Sequence, residues 1–442
     1  MYDALFEPIK IGPVEIKNRI AVAPMNQQGD RNRHPTAQYM NFFNARALGG
    51  FGLCTTGSIL ISKAASAEYP FVPYLYPGSQ TGGYWYDFTE GIHSQGTGTK
   101  VFGQLSHGFG RQTGREGVRG ASAIPFNRAD LYRGQSKESA SWTRYFKSDW
   151  TNHLLGVPRP MTIDEIKKDV RSWVRSAELA ILAGFDGLEI HGPHGYGMHQ
   201  FLSPRTNQRT DEYGGSLRNR ARFMLEIIEA VREHFGSAVP LCVRMSGREY
   251  QEGGIQPEDV RQVARWCEEA GADAISLSNG SGYDDFAHFF PSDQNNQPLL
   301  DAQGKKLKEA VSIPVITVGV QYPAVADRVI REGETDMISL GRQAIADPEW
   351  PNKVKEGRID EIVRCTKDNA CVTLGIWGAQ IGMRCTQNAH YGKEQYVPEF
   401  NPKPMKLRIP ETLKRWKPGV KWQEHNELWQ STVKSAKSEA QD

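Results

Sequence analysis

The sequence predicts an α/β protein in which eight parallel strands, each followed by a helix, close into a (β/α)8 TIM barrel. One local pattern occurs three times, in AGFDGLEI, AGADAISL and EGETDMISL. In each copy a helix ends at a glycine, an aspartate follows, and a short apolar strand begins. Strands that alternate with helices indicate a parallel sheet covered by helices, and eight strands is the number that this barrel requires.

Eight short apolar segments are the strand candidates. They are residues 19–24, 52–57, 100–105, 185–190, 240–245, 273–277, 314–319 and 336–340. A doubly wound open sheet of eight strands is the alternative that the count leaves open.

Two of the intervening helices are predicted from their ends and their apolar spacing. Thr162 and Glu165 form a capping box at the start of the first. Its apolar positions follow at helical spacing: Ile166, Val170, Trp173, Ala177 and Ile181. The second has the stripe Met224, Ile227, Ile228, Val231 and Phe235, and it ends at Gly236. These helices would cover the outside of the barrel.

Composition excludes several classes of protein. The 442 residues are 39% hydrophobic and 24% charged, which is ordinary for a globular chain with a sizeable core. A net charge of +2 does not call for a nucleic acid or an acidic membrane partner. No apolar segment is long enough to cross a membrane, and the first residues do not resemble a secretory signal. With only six scattered cysteines, we expect a cytoplasmic protein.

The predicted barrel spans residues 1–360, and residues 361–442 form a C-terminal extension that contains three of the cysteines. Residues 125–160, between strands three and four, are polar, basic and aromatic. They form either a surface insertion or a lid, since loops at this end of a barrel build active sites. Residues 279–301 form a second long loop. We expect the extension to cover the barrel or a neighbouring subunit of a homo-oligomer.

The strongest candidate for chemistry follows strand four, in residues 186–215. His191, His194 and Tyr196 lie there in a turn rich in glycine, which allows tight bends of the backbone. All three side chains can donate or carry protons. A structural histidine cluster that ends the strand is the alternative.

Polar residues also follow other strands. Gly319, Gly341 and Arg342 follow strands seven and eight, where barrels commonly bind phosphate; simple turns and a surface ion pair are the alternative. Gln104 and His107 end strand three. Arg244 lies in an apolar strand, where an unpaired charge is costly. It therefore indicates either an anionic or electron-rich ligand or an internal ion pair with Glu189.

Four segments together resemble the Old Yellow Enzyme family of FMN-dependent oxidoreductases. They are LFEPIKIG, KNRIAVAPM, HGPHGYGMHQFLSPRTNQRTDEYGGSLRNRARF and DMISLGRQAIADPEW, and the resemblance covers about residues 4–360. It implies FMN bound without a covalent link at the C-terminal mouth of the barrel. It also implies NADH or NADPH as reductant and an activated alkene as the small-molecule substrate.

The resemblance also implies individual roles. The flavin ring would contact Pro24, Met25, Gly57, Gln104 and Arg244, and its phosphate would contact Gly319, Gly341 and Arg342. His191 and His194 match the pair that hydrogen-bonds a substrate carbonyl. Tyr196 matches the proton donor to the carbon next to that carbonyl.

The cysteine segment resembles the branch that contains 2,4-dienoyl-CoA reductase and trimethylamine dehydrogenase, in which four cysteines bind a 4Fe-4S cluster. Here Cys365, Cys371 and Cys385 match, and Asp368 occupies the remaining position. The alternatives are a 4Fe-4S cluster with Asp368 as a ligand, a 3Fe-4S cluster, or a remnant without metal. No GxGxxG fingerprint follows Cys385, so electrons would come from a nicotinamide or pass to a separate electron-transfer protein.

Three functions remain open from the sequence. The first is reduction of the C=C bond of an α,β-unsaturated carbonyl. The second is an amine dehydrogenase or N-demethylase that passes electrons from FMN to a cluster or partner, since His194 and Tyr196 match both groups of enzymes. His191 favours the reductase. The third is a flavin electron-transfer subunit without catalytic activity.

Overall fold

A computed structural model describes residues 2–27, 33–69, 72–125, 156–282, 286–290, 303–372 and 384–403, together with residue 412. Most of the predicted insertion 125–160, much of the loop 279–301 and the end of the C-terminal extension lie outside these ranges. The aromatic residues of the insertion therefore stay predictions from sequence.

Eight parallel strands form a closed barrel. They are β1 Ile20–Val22, β2 Leu53–Thr55, β3 Lys100–Ser106, β4 Gly187–His191, β5 Leu241–Ser246, β6 Ala274–Ser278, β7 Val315–Val318 and β8 Met337–Leu340. Each strand pairs with the next, and β8 returns to β1 with Ile338 opposite Ile20. The barrel prediction is confirmed, and the open-sheet alternative is wrong because the first and last strands are hydrogen-bonded.

A helix follows each strand and packs on the outside. The helices are α1 Ala37–Leu48, α2 Gly82–His93, α3 Ile163–Leu182, α4 Leu217–Phe235, α5 Pro257–Glu269, α6 Lys305–Lys308, α7 Pro323–Arg331 and α8 Trp350–Lys355. The capping box at Thr162 and Glu165 is present. Gly236 ends α4 with a positive φ of 57°.

Successive residues of a strand face different apolar cores. Ile20 and Val22 pack into the layer between strands and helices, whereas Ala21 packs into a smaller core with the hairpin Ile9–Ile11 and Val14–Ile16. That smaller core also contains residues near the starts of the other strands, such as Leu53 and Met337. The hairpin thus closes the N-terminal end of the barrel, and polar groups collect at the C-terminal end.

The described part of the C-terminal extension packs on the barrel of its own chain. Arg46 of α1 makes a 2.9 Å ion pair with Glu394, and both side chains are buried. Tyr391 donates a hydrogen bond to Gln27, just past the end of β1. None of the described helices is both long and apolar enough to span a membrane.

Candidate active site

The turn after β4 brings three polar side chains to the mouth of the barrel. His194 and Gly195 both have left-handed backbones, with φ of 67° and 68°, so the chain reverses sharply. A short helix, Gly197–Leu202, begins directly after Tyr196. Gly192 must lack a side chain, because a Cβ there would lie 2.6 Å from the carbonyl oxygen of Arg244.

His191, His194 and Tyr196 form one cluster. The ring centroids of His191 and His194 are 5.8 Å apart. The Tyr196 ring lies 5.3 Å from that of His191 and 6.0 Å from that of His194. Phe109 packs edge-on against the tyrosine ring at 4.6 Å. The predicted residues are therefore brought together.

His191 is buried, yet neither of its ring nitrogens has a hydrogen-bond partner in the protein as described. Burial, the Arg244 charge and His199 lower the pKa of His191 to about 3. The imidazole is therefore neutral near pH 7, with one N–H donor and one acceptor. A purely structural histidine would be expected to have its buried nitrogens paired, so this geometry favours a ligand.

His194, in contrast to His191, has hydrogen-bond partners within the protein. Its backbone N–H donates to Ser246 Oγ at 3.1 Å, and its Nε2 lies 2.6 Å from Ser278 Oγ. Phe289 packs against its ring at 4.4 Å. Burial lowers the pKa of His194 well below the ordinary value, so this ring is neutral too.

The lowered pKa of His191 predicts a pH-dependent contribution to stability. Between pH 6.5 and about 3 the unfolded state binds a proton that the folded state does not, so stability is lost as the pH falls through this window. The free energy of unfolding of the wild type, relative to His191→Gln, should decrease by up to about 1.4 kcal/mol per pH unit there. Urea denaturation of both proteins at several pH values measures this difference. A constant difference would contradict the buried neutral imidazole.

A layer of polar side chains lies inside the barrel below these rings. Arg244 donates to Ser276 Oγ at 2.9 Å and to Ser278 Oγ at 3.1 Å, while its buried Nε has no described partner. Gln104 donates to Glu189 at 2.7 Å, and Ser276 also hydrogen-bonds Glu189.

Burial and charge act in opposite directions on Arg244 and Glu189. Burial lowers the pKa of Arg244, and the Glu189 charge opposes this. Burial likewise raises the pKa of Glu189, opposed by Arg244. An internal ion pair and a ligand contact are therefore compatible roles for Arg244. Glu189 compensates its charge, and the Nε remains available to a ligand.

The β1 and β2 ends form another side of the mouth. Pro24 and Met25 are half-buried. Asn26 accepts a hydrogen bond from the backbone N–H of Ser58, and a Cβ at Gly57 would lie 2.2 Å from the Asn26 amide oxygen. The glycine at position 57 is therefore already required by a contact within the protein.

The predicted phosphate residues lie at the ends of β7 and β8. Gly319 has a φ of 101°, and no described atom lies within 4 Å of where its Cβ would be. A Cβ at Gly341 would contact Met25 Sδ at 3.7 Å, which places this glycine beside the β1 end. Arg342 donates to Asn369. Burial lowers the pKa of Arg342, opposed by Cys365, Cys371 and Asp368.

These features fit a bound FMN. The buried Nε of Arg244 lacks a partner among the described residues, and no described atom lies within 4 Å of where a Cβ of Gly319 would be. A flavin ring offers hydrogen-bond acceptors for the Nε of Arg244. The flavin phosphate suits the backbone at Gly319 and the guanidinium of Arg342.

The cysteine segment lies beside Arg342, but it does not form a metal site as described. Asp368 accepts hydrogen bonds from Thr366, Thr386 and the backbone N–H of Ala370. Burial raises the pKa of Cys371 to about 12. Within the described ranges, no three metal-ligating side chains are arranged to hold an ion. An iron–sulfur cluster at Cys365, Asp368, Cys371 and Cys385 therefore stays a prediction from the sequence.

Three residues that contact the candidate site residues were not predicted from the sequence to do so. Ser276 and Ser278 anchor Arg244, and Phe289 packs on His194. The two serines are separated by one residue, so alternation along β6 turns both to the barrel interior. This one-residue separation could have predicted from the sequence that both serines face the barrel interior. Nothing local in the sequence indicates the contact of Phe289.

Comparison with known proteins assigns the family. Residues 4–361 match the model of the NADH:flavin oxidoreductase / NADH oxidase family. The chain belongs to this family. The match covers the whole predicted barrel, and the resemblance to the Old Yellow Enzyme family is confirmed.

Relatives and solved structures with different names are similar to this chain. A cinnamate reductase of Clostridium sporogenes is 35% identical over 389 residues, which are 82% of this chain and 54% of that protein. The structure of a 2-naphthoyl-CoA reductase bound to 2-naphthoyl-CoA superposes with a TM-score of 0.76 at 26% identity, covering 89% of this chain and 58% of that one. For the histamine dehydrogenase of Rhizobium sp. 4-9, the TM-score is 0.72 at 29% identity, with coverages of 89% and 53%. The chain thus spans about half the length of these proteins.

Proposed function

We propose that this protein reduces the C=C bond of an α,β-unsaturated carbonyl compound. One observation carries the proposal: a buried, neutral His191 has two unpartnered nitrogens at the barrel mouth, next to His194 and Tyr196. A carbonyl oxygen is an acceptor that such a pair of imidazoles can bind.

Arg244, Gln104, Pro24, Met25 and Gly57 would hold the ring of FMN. Its phosphate would be bound by Gly319, Gly341 and the guanidinium of Arg342. Once bound and reduced by NADH or NADPH, FMN supplies hydride. The buried guanidinium of Arg244 stabilises negative charge at this site because the surroundings exclude water.

The two histidines would polarise the substrate. A neutral N–H of His191 donates to the carbonyl oxygen without neutralising it by proton transfer. His194 joins from the side, its orientation fixed by Ser246, Ser278 and the Phe289 ring. Both bonds strengthen as negative charge develops on the oxygen, which lowers the barrier.

Tyr196 would donate the proton to the carbon next to the carbonyl. Its ring is held between Phe109 and His191. The phenolic hydroxyl can act as a general acid when it reaches the carbon next to the carbonyl. The name of the cinnamate reductase, and the naphthoyl ligand of the structural neighbour, support an unsaturated acyl substrate.

Amine oxidation is the second candidate, and the likeness to a histamine dehydrogenase favours it. Against it, the interior of β6 offers Ser276 and Ser278, whose hydroxyls already accept from Arg244, rather than a carboxylate for a cationic amine. A flavin subunit without catalytic activity is less well supported, because the cluster of His191, His194 and Tyr196 is complete.

The iron–sulfur hypothesis remains a proposal that rests on the order of Cys365, Asp368, Cys371 and Cys385 in the chain. A bound cluster would require Asp368 to exchange its present hydrogen bonds for iron, or to be bypassed in a 3Fe-4S form. Iron and sulfide analysis of anaerobically purified protein decides the matter. Neither element in stoichiometric amount would leave a remnant without metal.

Turnover in D2O tests the proposed reaction. With NADPH and 2-cyclohexenone, the saturated ketone should carry one solvent-derived deuteron on the carbon next to the carbonyl, because the tyrosine hydroxyl exchanges with solvent. NMR of the product locates the label. Absence of a saturated product across several enones and enoyl thioesters would refute the proposal.

A further inference from the structure

The short helix that follows Tyr196 carries a second, deeper histidine. His199 lies in the first turn of Gly197–Leu202 and is 1% exposed. Its Nε2 is 3.3 Å from Oε1 of Glu249, whose side chain is equally buried. Glu249 lies in the loop after β5, so a buried ion pair joins the loops of two neighbouring barrel strands.

Glu249 also accepts hydrogen bonds from two other groups. Its other oxygen accepts hydrogen bonds from the Ser203 hydroxyl, just past the end of the helix, and from the backbone N–H of Ile255 at 2.9 Å. Burial raises the pKa of Glu249, but His199, Ser203 and Ile255 outweigh this effect and bring it to about 2. The carboxylate is therefore ionised and holds the helix at two points.

The opposite side of the helix is fixed as well. Gly197 packs against His107 so closely that a Cβ would lie 2.1 Å from the imidazole Nε2. The backbone N–H of Gly197 donates to Gly108 at 3.0 Å. His107 in turn lies 3.2 Å from Asp169 of α3. The helix is thus held between two buried histidine–carboxylate pairs.

We propose that Glu249 is a positioning residue that acts through His199: it fixes the short helix that directly follows Tyr196, and so the turn that presents this tyrosine. The proposal rests on the proposed function for the role of Tyr196, but the buried ion pair is independent of it.

The isosteric variant Glu249→Gln tests the proposal. It should lower the rate at which an enone oxidises the reduced flavin by roughly 10- to 100-fold, because small misplacements of a catalytic group are costly. In a Tyr196→Phe background the same change should have almost no further effect, since the positioned hydroxyl is already missing. Full multiplication of the two effects would overturn the proposal.

Glu394→Gln is the matched control. Glu394 is also a buried carboxylate in an ion pair, with Arg46, but it lies in the C-terminal extension. This variant should lose stability yet keep the wild-type oxidation rate with the enone. An equal slowing in both variants would mean that Glu249 acts only through global stability, against the proposal.

Histidine NMR provides a readout without turnover. In the wild type, the buried His199 ring N–H should exchange slowly with water because it contacts Glu249. Its signal is assigned by its loss in His199→Gln, and Glu249→Gln should change its chemical shift and speed its exchange. A His199 ring N–H that exchanges in the wild type as fast as that of an exposed histidine would overturn the proposal even if the variants fail to fold. If the wild type proves not to reduce enones, the proposed function fails while this measurement still tests the ion pair.

Discussion

Replacing Tyr196 with phenylalanine should slow oxidation of the reduced flavin by an enone roughly 100- to 10,000-fold, the usual range for loss of a general acid. The change removes one oxygen and keeps the aromatic ring. The contacts of that ring with Phe109 and His191 are retained, so the fold and the flavin should be preserved. Reduction of the flavin by NADPH should stay nearly unchanged, because no proton from Tyr196 is needed for it.

Stopped-flow absorbance of the flavin under anaerobic conditions separates these two half-reactions. Tyr213→Phe is the matched control, since Tyr213 is buried and donates its hydroxyl to Glu226 rather than lying in the His191 cluster. It should oxidise at the wild-type rate. If Tyr196→Phe does so too, Tyr196 is not the proton donor.

Replacing Arg244 with leucine should lower the free energy of unfolding by about 3–5 kcal/mol, the usual cost of removing one partner from a buried charge pair. The change leaves Glu189 buried without the cation that opposes the rise of its pKa. Ser276 and Ser278 lose the donors that they now accept from. FMN should be lost on purification, because the guanidinium would contact its ring.

A second substitution separates charge compensation from flavin binding. In Arg244→Leu/Glu189→Gln, the neutral amide can keep the contact with Gln104 and removes the uncompensated charge. Urea denaturation should show that much of the lost stability returns, while the flavin absorbance does not. Wild-type flavin content in the double variant would exclude Arg244 from the flavin site.

The barrel could be predicted because its signals are local. Helix caps such as Thr162, the stops at glycine and the short apolar strands each occupy a few consecutive residues. Predicted strand limits extend past the observed ones, as at 19–24 against Ile20–Val22, because pairing ends where the loop turns away. The cluster after β4 was equally accessible, since its histidines and glycines are adjacent in sequence.

Long-range contacts could not be predicted in this way. His199 and Glu249 are fifty positions apart, and only the parallel neighbours β4 and β5 bring their loops together. The resemblance accounts for Gly57 only as a contact of the flavin. The structure also shows that Asn26 approaches Gly57 too closely for a side chain at that position. The contact between Arg342 and Asn369 likewise joins the barrel to a segment identified only by its cysteines.

Anaerobic titration of the flavin-loaded protein tests the central claim most directly. NADH or NADPH should bleach the flavin absorbance, and an α,β-unsaturated ketone or thioester should then restore it in one-to-one stoichiometry. N-methylated amines should leave the oxidised flavin unchanged. If both nicotinamides leave the flavin oxidised while an N-methylated amine bleaches it, the protein is an amine dehydrogenase and the proposed reduction of alkenes is wrong.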